Sequence, residues 1–367
     1  MSTVASSARI TMAQWRTLIE AAGQAPSPDN NQPWAFRPRG DAVEVLHCRA
    51  RAIGSDVDDL FSWLAVGAAI ENLCLAATRL GLTGRVEYMK RPFTETPDGE
   101  RIATVEFSTG GQPDALAEWI PQRVTNRRFY KRQPLGDADL APMIASVDGR
   151  CVHLDWLTDL PQRKRLARVV AAVDRIRFEH QPFHEEFHSV LRHSPAEEER
   201  TRDGLEVRTL ELPPFGATLM RWVAPWRRMQ LLNRFGMSRV FAGTSAKQVV
   251  CCGAVGLVST TDVSDRGFLE GGRAFQRIWL AATAAGLSFQ PMGGIPLFFH
   301  KLSSQGSEAF LPEHGGVLES LLPEWRELFP AAAGRTGVML FRIGRSGGPS
   351  ARSIRKHVDD IIVKDVE

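Results

Sequence analysis

The chain has 367 residues, of which 43% are apolar and 24% are charged, and its formal net charge is +3 at pH 7. These values are typical of a globular protein with room for two ordinary domains, and the charge is too small to indicate nucleic-acid binding. The opening residues form no hydrophobic signal core, and no uninterrupted apolar run approaches membrane-spanning length. Five cysteines without framework spacing favour a reducing compartment. We therefore expect a cytoplasmic protein with no membrane partner.

The first distinctive segment is the loop A-P-S-P-D-N-N-Q-P-W-A-F at 25–36, which follows a predicted amphipathic helix at 10–22. Three prolines and two asparagines ahead of an aromatic strand fix amide side chains and main-chain groups in position. A helix-to-strand turn is the simpler interpretation of this loop, and a ligand-binding wall is the alternative.

A nearly all-apolar stretch at 62–82, S-W-L-A-V-G-A-A-I-E-N-L-C-L-A-A-T-R-L-G-L, predicts a helix that is buried on all sides. Similar text returns without a gap at 270–287, E-G-G-R-A-F-Q-R-I-W-L-A-A-T-A-A-G-L, at an offset of 205 residues that pairs Gly67 with Gly272. Because such a match indicates an internal repeat, we expect two copies of one unit whose central helices pack together.

A strongly basic segment, Q-R-V-T-N-R-R-F-Y-K-R-Q-P-L at 122–135, follows a predicted boundary near Pro121. It contains no acid, and its cations are Arg123, Arg127, Arg128, Lys131 and Arg132. Such a segment, with the hydroxyl of Thr125, can hold a phosphate through charge-assisted contacts. A solvated basic loop is the alternative interpretation.

Helical sequence is predicted over 160–192, with a break at Pro182. His180, His184 and His188 recur at intervals of four, which can place imidazoles on one helix face. Because the proline disturbs the first interval and no separate carboxylate or thiol completes a ligand set, we expect these histidines to pack and to bind no metal.

Residues at about 195–245 have no counterpart in the first half, so they form an insert in the second. Its Trp-rich basic segment at 219–241 favours a lid over a pocket, with ordinary packing or membrane contact as alternatives. The adjacent Cys251 and Cys252 lie in a strand-like run and are expected in the core, because neighbouring cysteines make a strained disulfide.

A turn at 288–296, S-F-Q-P-M-G-G-I-P, exposes main-chain N–H groups where a flat ligand could approach, since glycine has no obstructing side chain. The tail at 351–357, A-R-S-I-R-K-H, is a second basic cluster. Neither G-x-G-x-x-G nor G-x-x-x-x-G-K-[ST] occurs, so any phosphate must be held by basic side chains.

Together these motifs resemble the nitroreductase family of FMN enzymes, which are normally symmetric dimers. The resemblance is carried by R-x-[ST]-x-R-x-F at 123–129, S-x-x-N-x-Q-P-W at 27–34, G-A-A-x-x-N-L-x-L-A-A at 67–77 and the Gly-Gly turn. The fused duplicate with its insert is similar to the Acg-like branch of that family. The resemblance implies an α+β, nitroreductase-like fold of two pseudo-symmetric halves, 1–121 and 122–367, with mixed sheets flanked by helices.

The motifs are divided between the two halves, so the resemblance implies one FMN per chain and a dead second site. The implied cofactor-binding residues are Ser27, Asn30, Gln32, Arg123, Thr125, Arg127, Pro291, Met292, Gly293, Gly294, Arg352 and Arg355. The arginines and the threonine would hold the phosphate and ribityl end, and the main chain at 292–294 would face the isoalloxazine ring. No side chain is nominated as catalytic.

The leading functional hypothesis is hydride transfer from NAD(P)H through flavin to a small planar acceptor, a nitroaromatic or a quinone. An FMN-sequestering protein without turnover is one alternative, because a lid could block nicotinamide entry. A flavin-dependent dehydrogenase or oxidase of a natural-product substrate is another. We expect either a monomer that acts as a pseudo-dimer or a further homodimer.

Overall fold

The structure, a computed structural model, describes residues 9–364 of the chain. Within this range the longer helices are α1 (Met12–Gly23), α2 (Leu60–Thr78), α3 (Asp137–Ala145), α4 (Leu160–Glu179), α5 (Gln181–Ser189), α6 (Pro195–Thr201), α7 (Gly216–Val223), α8 (Trp226–Asn233), α9 (Met237–Val250), α10 (Asp265–Ala284), α11 (Gly294–Gln305) and α12 (Pro312–Leu328). Short 3₁₀ helices include Pro28–Asn30, Ala115–Gln122 and Val207–Leu210.

The strands are β1 (Trp34–Arg39), β2 (Ala42–His47), β3 (Leu82–Tyr88), β4 (Thr94–Thr96), β5 (Gly99–Thr109), β6 (His153–Leu157), β7 (Leu191–Arg192), β8 (Leu205–Glu206), β9 (Ala254–Thr260), β10 (Ser288–Pro291) and β11 (Thr336–Gly344). One sheet has the order β1-β2-β5-β3 and a second has the order β6-β9-β11-β10, with antiparallel neighbours in both. Along the chain, α2 lies between β2 and β3, the second and third strands of the first sheet in chain order. Helix α10 lies between β9 and β10, the second and third strands of the other sheet in chain order. The two sheets therefore share one topology, and the predicted α+β class is confirmed.

Helix α2 forms the centre of the core because apolar side chains surround it on all sides. Its N-terminus is capped by Asp56, whose carboxylate accepts hydrogen bonds from the main-chain N–H groups of Phe61 (2.8 Å) and Ser62 (2.9 Å). Among the described residues only α2 is long and apolar enough to cross a membrane, and 83% of its most apolar window is buried inside the protein. The helix is therefore part of the protein core.

Helices α2 and α10 pack against each other through a reciprocal close approach. A Cβ atom on Gly67 would overlap the main-chain carbonyl of Leu269, and a Cβ atom on Gly272 would overlap that of Leu64. The 205-residue offset relates Gly67 to Gly272 and Leu64 to Leu269, so it converts one contact into the other, which is the pattern of a two-fold interface. The prediction that the two central helices pack together is confirmed.

The polar contacts between these helices repeat the same reciprocity. Glu71 accepts a hydrogen bond from Arg277 at 3.0 Å, and Asn72 accepts one from Gln276 at 2.7 Å. Under the 205-residue offset, Glu71 corresponds to Gln276 and Asn72 corresponds to Arg277. The two hydrogen bonds therefore join equivalent pairs of positions. The interface thus retains two-fold geometry while the side chains on its two sides have diverged.

The C-terminal tail crosses from the second half to the first sheet. The N–H group of Phe36 donates to the carbonyl of Ile361 at 2.8 Å, and the N–H group of Val363 donates to the carbonyl of Phe36 at 2.8 Å. These bonds form a parallel bridge at the edge of β1. The tail residues at 351–357 are therefore held between the halves.

Two local predictions are wrong. Cys251 and Cys252 lie in the connection between α9 and β9 and not in a strand, because helix α9 continues through Val250, although Cys252 is buried in the core as predicted. The end of the predicted helical region, Leu191–Arg192, is a strand that pairs with β8. In both places a short apolar run fits either kind of element, and the tertiary environment decides between them.

Candidate functional site

A cavity of about 320 Å³ lies where the two halves meet, beside α2 and α10. Its walls come from the loop before β1, the basic segment, the turn between β10 and α11, and the C-terminal tail. Eleven of the twelve predicted binding residues line it, namely Ser27, Asn30, Arg123, Thr125, Arg127, Pro291, Met292, Gly293, Gly294, Arg352 and Arg355. The fold therefore brings together four segments that are far apart in sequence, and their role in binding stays a prediction.

Gln32 is the predicted site residue that does not line the cavity. Its buried amide nitrogen donates to the carbonyl of Arg202 at 2.8 Å and to that of Asn30 at 3.2 Å, and its amide oxygen accepts from the N–H group of Lys356 at 2.8 Å. Because both ends of the amide are used in this way, Gln32 lies behind the wall. It joins the first-half loop to the insert and the tail.

The loop at 27–32 adopts an unusual backbone conformation. Asp29, Asn30 and Gln32 have φ values of 47°, 59° and 51°, in the left-handed region that residues with a Cβ atom seldom adopt. The hydroxyl of Ser27 accepts from the N–H group of Gln32 at 3.0 Å, and the amide of Asn30 donates to the carbonyl of Ile354 at 2.9 Å. These bonds hold the loop against the tail in spite of its strain.

Arg123 is the most deeply buried cation of the cavity, with 2% of its surface exposed. It donates to the carbonyl of Gln24 at 2.7 Å, and its guanidinium carbon lies 4.5 Å from the ring centre of Trp279. Its Nε atom is buried without a hydrogen-bond partner. Burial, with the nearby charges of Arg355 and Arg352, lowers the pKa of Arg123 well below its usual value. This cation lacks a compensating negative charge.

The other arginines of the cavity are similarly placed. Arg355 donates to the carbonyl of Ala25 at 3.2 Å, and burial together with the charge of Arg352 lowers its pKa to about 10. Arg352 donates to the carbonyl of Arg123 at 2.6 Å, from the cavity rim. Arg127 donates to a main-chain carbonyl at 3.1 Å. Asp29 acts on Arg127 and Glu198 acts on Arg355 through space, but no carboxylate acts in this way on Arg123 or Arg352, so the end of the cavity around Arg123 suits an anion such as a phosphate.

The Gly-Gly turn closes another side of the cavity. A Cβ atom on Gly293 would come within 2.7 Å of the Phe61 ring and 3.1 Å of the Met339 side chain, so a larger residue here would displace these side chains. The N–H group of Met292 is bonded to the carbonyl of Leu340 at 2.7 Å, which fixes the start of the turn. Helix α11 begins at Gly294, so its partial positive end lies in the cavity wall. A flat group that accepts hydrogen bonds would fit against this surface.

The apolar part of the wall is not among the residues that the sequence motifs predict. Phe275 and Trp279 of α10 line the cavity, together with Phe61 and Leu64 of α2. All four lie in the two repeated central helices or at their ends, where the sequence pattern indicates burial. Only the packing of one helix against the other shows that part of each helix faces a cavity.

The insert covers the cavity with its first part. Leu205, Thr209 and Leu210 line the cavity, and so does Ser245 at the end of the insert. The Trp-rich segment at 219–241, which was expected to form the lid, contributes no lining residue. The lining residues of the insert therefore lie near β8 and in the second half of α9, and none comes from the Trp-rich segment.

Other basic residues of the motif segment have different partners. Arg128 lies 3.3 Å from the carboxylate of Glu211, and Arg132 contacts Cys251 at 3.3 Å. Neither of these arginines lines the cavity, and nor does Lys131. Among the cations of this segment, only Arg123 and Arg127 line the cavity, together with Val124 and Thr125.

The histidines of α5 pack together inside the second half. The rings of His184 and His188 lie 4.4 Å apart, and the ring of His184 lies 5.4 Å from that of Trp226. Burial and the neighbouring imidazoles lower the pKa of His188 to about 4. Among residues 9–364 no group of three His, Cys, Asp or Glu side chains is placed to hold a metal ion.

Some residues that correspond to cavity residues by the 205-residue offset are polar and bonded to one another. Tyr88 stands where the cavity has Gly293. Glu270 stands where it has Ala65, and its carboxylate accepts from the Tyr88 hydroxyl at 2.5 Å. Arg273 completes the group with a 3.2 Å contact to Glu270. Tyr88, Glu270 and Arg273 thus form one bonded polar cluster, and the prediction of a dead second site stays a prediction.

The chain is similar in sequence to two proteins of Mycobacterium tuberculosis. No protein-family model matches the chain. An uncharacterized Mycobacterium tuberculosis protein, MT1398, is 27% identical over 344 residues, which cover 92% of this chain and 47% of that protein. Rv3131 of the same species, provisionally named an NAD(P)H nitroreductase, is 30% identical over 157 residues, or 41% of this chain and 44% of that protein. The chain thus spans about half the length of the curated relatives that it matches.

Solved structures with a related fold include the FMN-dependent nitroreductase NfnB from Mycobacterium smegmatis, described in complex with NADPH. It is 13% identical, with a TM-score of 0.33 over 69% of this chain and 94% of that chain. A BluB-like flavoprotein from Clostridium difficile is 14% identical, with a TM-score of 0.36 over 69% of this chain and 100% of that chain. The sequence similarity to Rv3131 confirms the resemblance that the motifs predict.

Proposed function

We propose that this chain, which resembles the nitroreductases in sequence, is an FMN-dependent oxidoreductase that passes hydride from NAD(P)H to a small planar acceptor such as a nitroaromatic or a quinone. The observation that supports this proposal most strongly is a cluster of cavity arginines whose hydrogen bonds end on main-chain carbonyl groups. Such a cluster is costly to maintain unless an anion binds there. The phosphate of FMN would supply that anion.

The residues divide by the part of the cofactor that each would hold. Arg123, Arg352 and Arg355 form the cationic end of the cavity and would bind the phosphate, with Arg127 and Thr125 beside them. Ser27 and Asn30 come from the first half and would close the site from the opposite side. Gln32 acts indirectly, because it fixes the loop and the tail that carry these groups.

When bound, flavin supplies the redox chemistry, and the chain supplies position and exclusion of water. The N–H groups of Gly293 and Gly294, at the start of α11, would face the ring, while the N–H group of Met292 is already bonded to the carbonyl of Leu340. Phe61 and Phe275 give the cavity apolar walls that exclude water from a planar ring. No side chain is assigned as a general acid, because the acceptor can take its proton from solvent.

The first experiment is a count of flavin per chain and a titration of the flavin-free protein with FMN. Replacing Arg123 by Gln removes a buried charged donor, which is worth about 1.5–3 kcal/mol, so we expect binding to weaken roughly 10- to 100-fold. Arg128→Gln is the matched control, because this exposed arginine pairs with Glu211 outside the cavity. Equal affinities for the two variants, or a protein that takes up no FMN, would remove the proposal.

A second candidate is retention of FMN without turnover, and the covering by Leu205 and Leu210 favours it. Rapid bleaching of the bound flavin by NADPH and its recovery with a nitroaromatic acceptor would support the oxidoreductase. Absence of bleaching, with slow release of flavin, would support retention. Bleaching by an organic substrate alone would indicate a dehydrogenase or an oxidase.

We also propose that the chain works in the cytoplasm with one flavin in each polypeptide. Support for a single site comes from the ion pairs of Tyr88, Glu270 and Arg273 in the symmetry-related region. Two equivalent flavins per chain would contradict this stoichiometry.

A further inference from the structure

The insert contains a long stretch without acidic residues. From Leu212 to Thr261 the sequence has no Asp or Glu, although 24% of the whole chain is charged. The cations in this stretch are Arg221, Arg227, Arg228, Arg234, Arg239 and Lys247. A one-sign stretch of this kind favours an anionic partner.

The same stretch exposes large apolar side chains to solvent. Their exposed fractions are 87% for Phe215, 84% for Phe235, 65% for Val240, 52% for Leu231 and 47% for Trp222. A single exposed apolar residue is ordinary, but five within one short helical region form an interaction surface. None of them lines the cavity, so the proposed flavin site does not explain them.

The cations and the apolar groups are interleaved on consecutive helices. Helix α8 packs against both α7 and α9. Along α8 and its end, Arg227, Leu231, Arg234 and Phe235 follow helical spacing and are all exposed, so they share one side of the helix. The guanidinium of Arg228 lies over the ring of Trp222 at 5.3 Å, which joins α8 to α7. We call these residues, with Phe215, Arg221, Arg239 and Val240, the basic apolar face.

We propose that the basic apolar face docks the protein on the surface of a bilayer that contains anionic lipid. Aromatic and aliphatic side chains would enter the interface between headgroups and acyl chains, while arginines contact lipid phosphates. Nucleic acid fits less well, because Leu231 and Val240 have no apolar partner on a phosphate backbone. This proposal differs from the expectation that the protein has no membrane partner. The attachment would be reversible and limited to the bilayer surface, with no helix crossing the bilayer.

The experiment is flotation of the full chain with vesicles of phosphatidylcholine alone and with vesicles that contain 30 mol% phosphatidylglycerol. We expect binding to the second kind only, and we expect it to weaken with salt. Each arginine near an anionic surface contributes a factor of about five, so Arg227→Glu with Arg234→Glu should lower binding by more than roughly 25-fold. Phe215→Ser with Phe235→Ser should lower it by at least about tenfold.

Matched controls use exposed residues outside the insert. Met12→Ser changes an apolar side chain that is 60% exposed, and Arg79→Glu reverses an exposed charge. Both should float as the wild type does, and circular dichroism should show all variants folded. Equal loss in controls and face variants would overturn the proposal, and so would binding to RNA or to an acidic protein without vesicle binding. A dimer that Phe215→Ser with Phe235→Ser converts to a monomer would instead assign the face to a second copy of the chain.

Discussion

The contact between α2 and α10 predicts opposite effects for the same substitution at two helical glycines. In Gly67→Ala the new Cβ atom would stand 2.0 Å from the carbonyl oxygen of Leu269, whereas an ordinary contact needs at least about 3.4 Å. The obstacle is main chain in a packed helix, so the helices must separate by roughly 1 Å or more. At Gly316, inside α12, a Cβ atom would meet nothing within 4 Å.

The net magnitude follows from two opposing terms. Alanine favours a helix over glycine by about 1 kcal/mol at either position. Overpacking of a core costs about 1–3 kcal/mol, and the upper end applies at Gly67 because a carbonyl group cannot rotate away. We expect Gly67→Ala to lower the free energy of unfolding by about 2 kcal/mol, and Gly316→Ala to raise it by up to about 1 kcal/mol.

Urea unfolding of the full chain, followed by tryptophan fluorescence, measures both variants against the wild type. Gly272→Ala should destabilise in the same way, because its Cβ atom would meet the carbonyl of Leu64. The double variant with Gly67→Ala should lose less than the sum of the single losses, since one separation of the helices relieves both contacts. A Gly67→Ala protein as stable as Gly316→Ala would refute the close reciprocal packing.

Two further predictions concern buried charge. Glu71 is 2% exposed and pairs with three arginines, so Glu71→Gln should lower the free energy of unfolding by about 3–5 kcal/mol, measured by urea unfolding beside the exposed control Glu95→Gln. The pKa of His188 is about 4 in the folded chain, below its usual value near 6.5, so its contribution to stability is complete above pH 6.5 and is lost as pH falls toward 4. His188→Phe should reduce the stability lost between pH 7 and pH 4.5 by up to about 3 kcal/mol, and an unchanged loss would show that folding does not lower the pKa of this imidazole.

The parts of the structure that the sequence predicts well are those that one strong local pattern determines. The central helices belong to this group, since their apolar runs leave no polar face for solvent and their offset is constant. Most of the cavity wall is also predicted from the sequence, because motifs such as R-V-T-N-R specify which residue types follow one another along the chain. The main chain then places Arg123 and Arg127 on the cavity side of that segment and Arg128 on the other.

The parts that the sequence does not predict depend on the direction of a side chain or on a distant partner. Gln32 belongs to the same motif as Asn30, but the left-handed backbone of the loop turns its amide away from the cavity and toward Arg202 and Lys356. Trp279 shares the periodicity of its buried neighbours, and only the packing of α10 places it against Arg123. A pattern of polarity contains no information about such directions.

The two sides of the central interface show how a fused pair can keep one site. On one side Arg273 is neutralised within the chain by Glu71 and Glu270, and the Tyr88 hydroxyl fills the remaining space. On the other side Arg123 has only main-chain partners and an open cavity in front of it. Both sides contain buried guanidinium groups, and they differ in whether a carboxylate of the chain compensates them. A single polypeptide allows this difference because each half can change without altering the other, whereas a symmetric dimer would change both sites together.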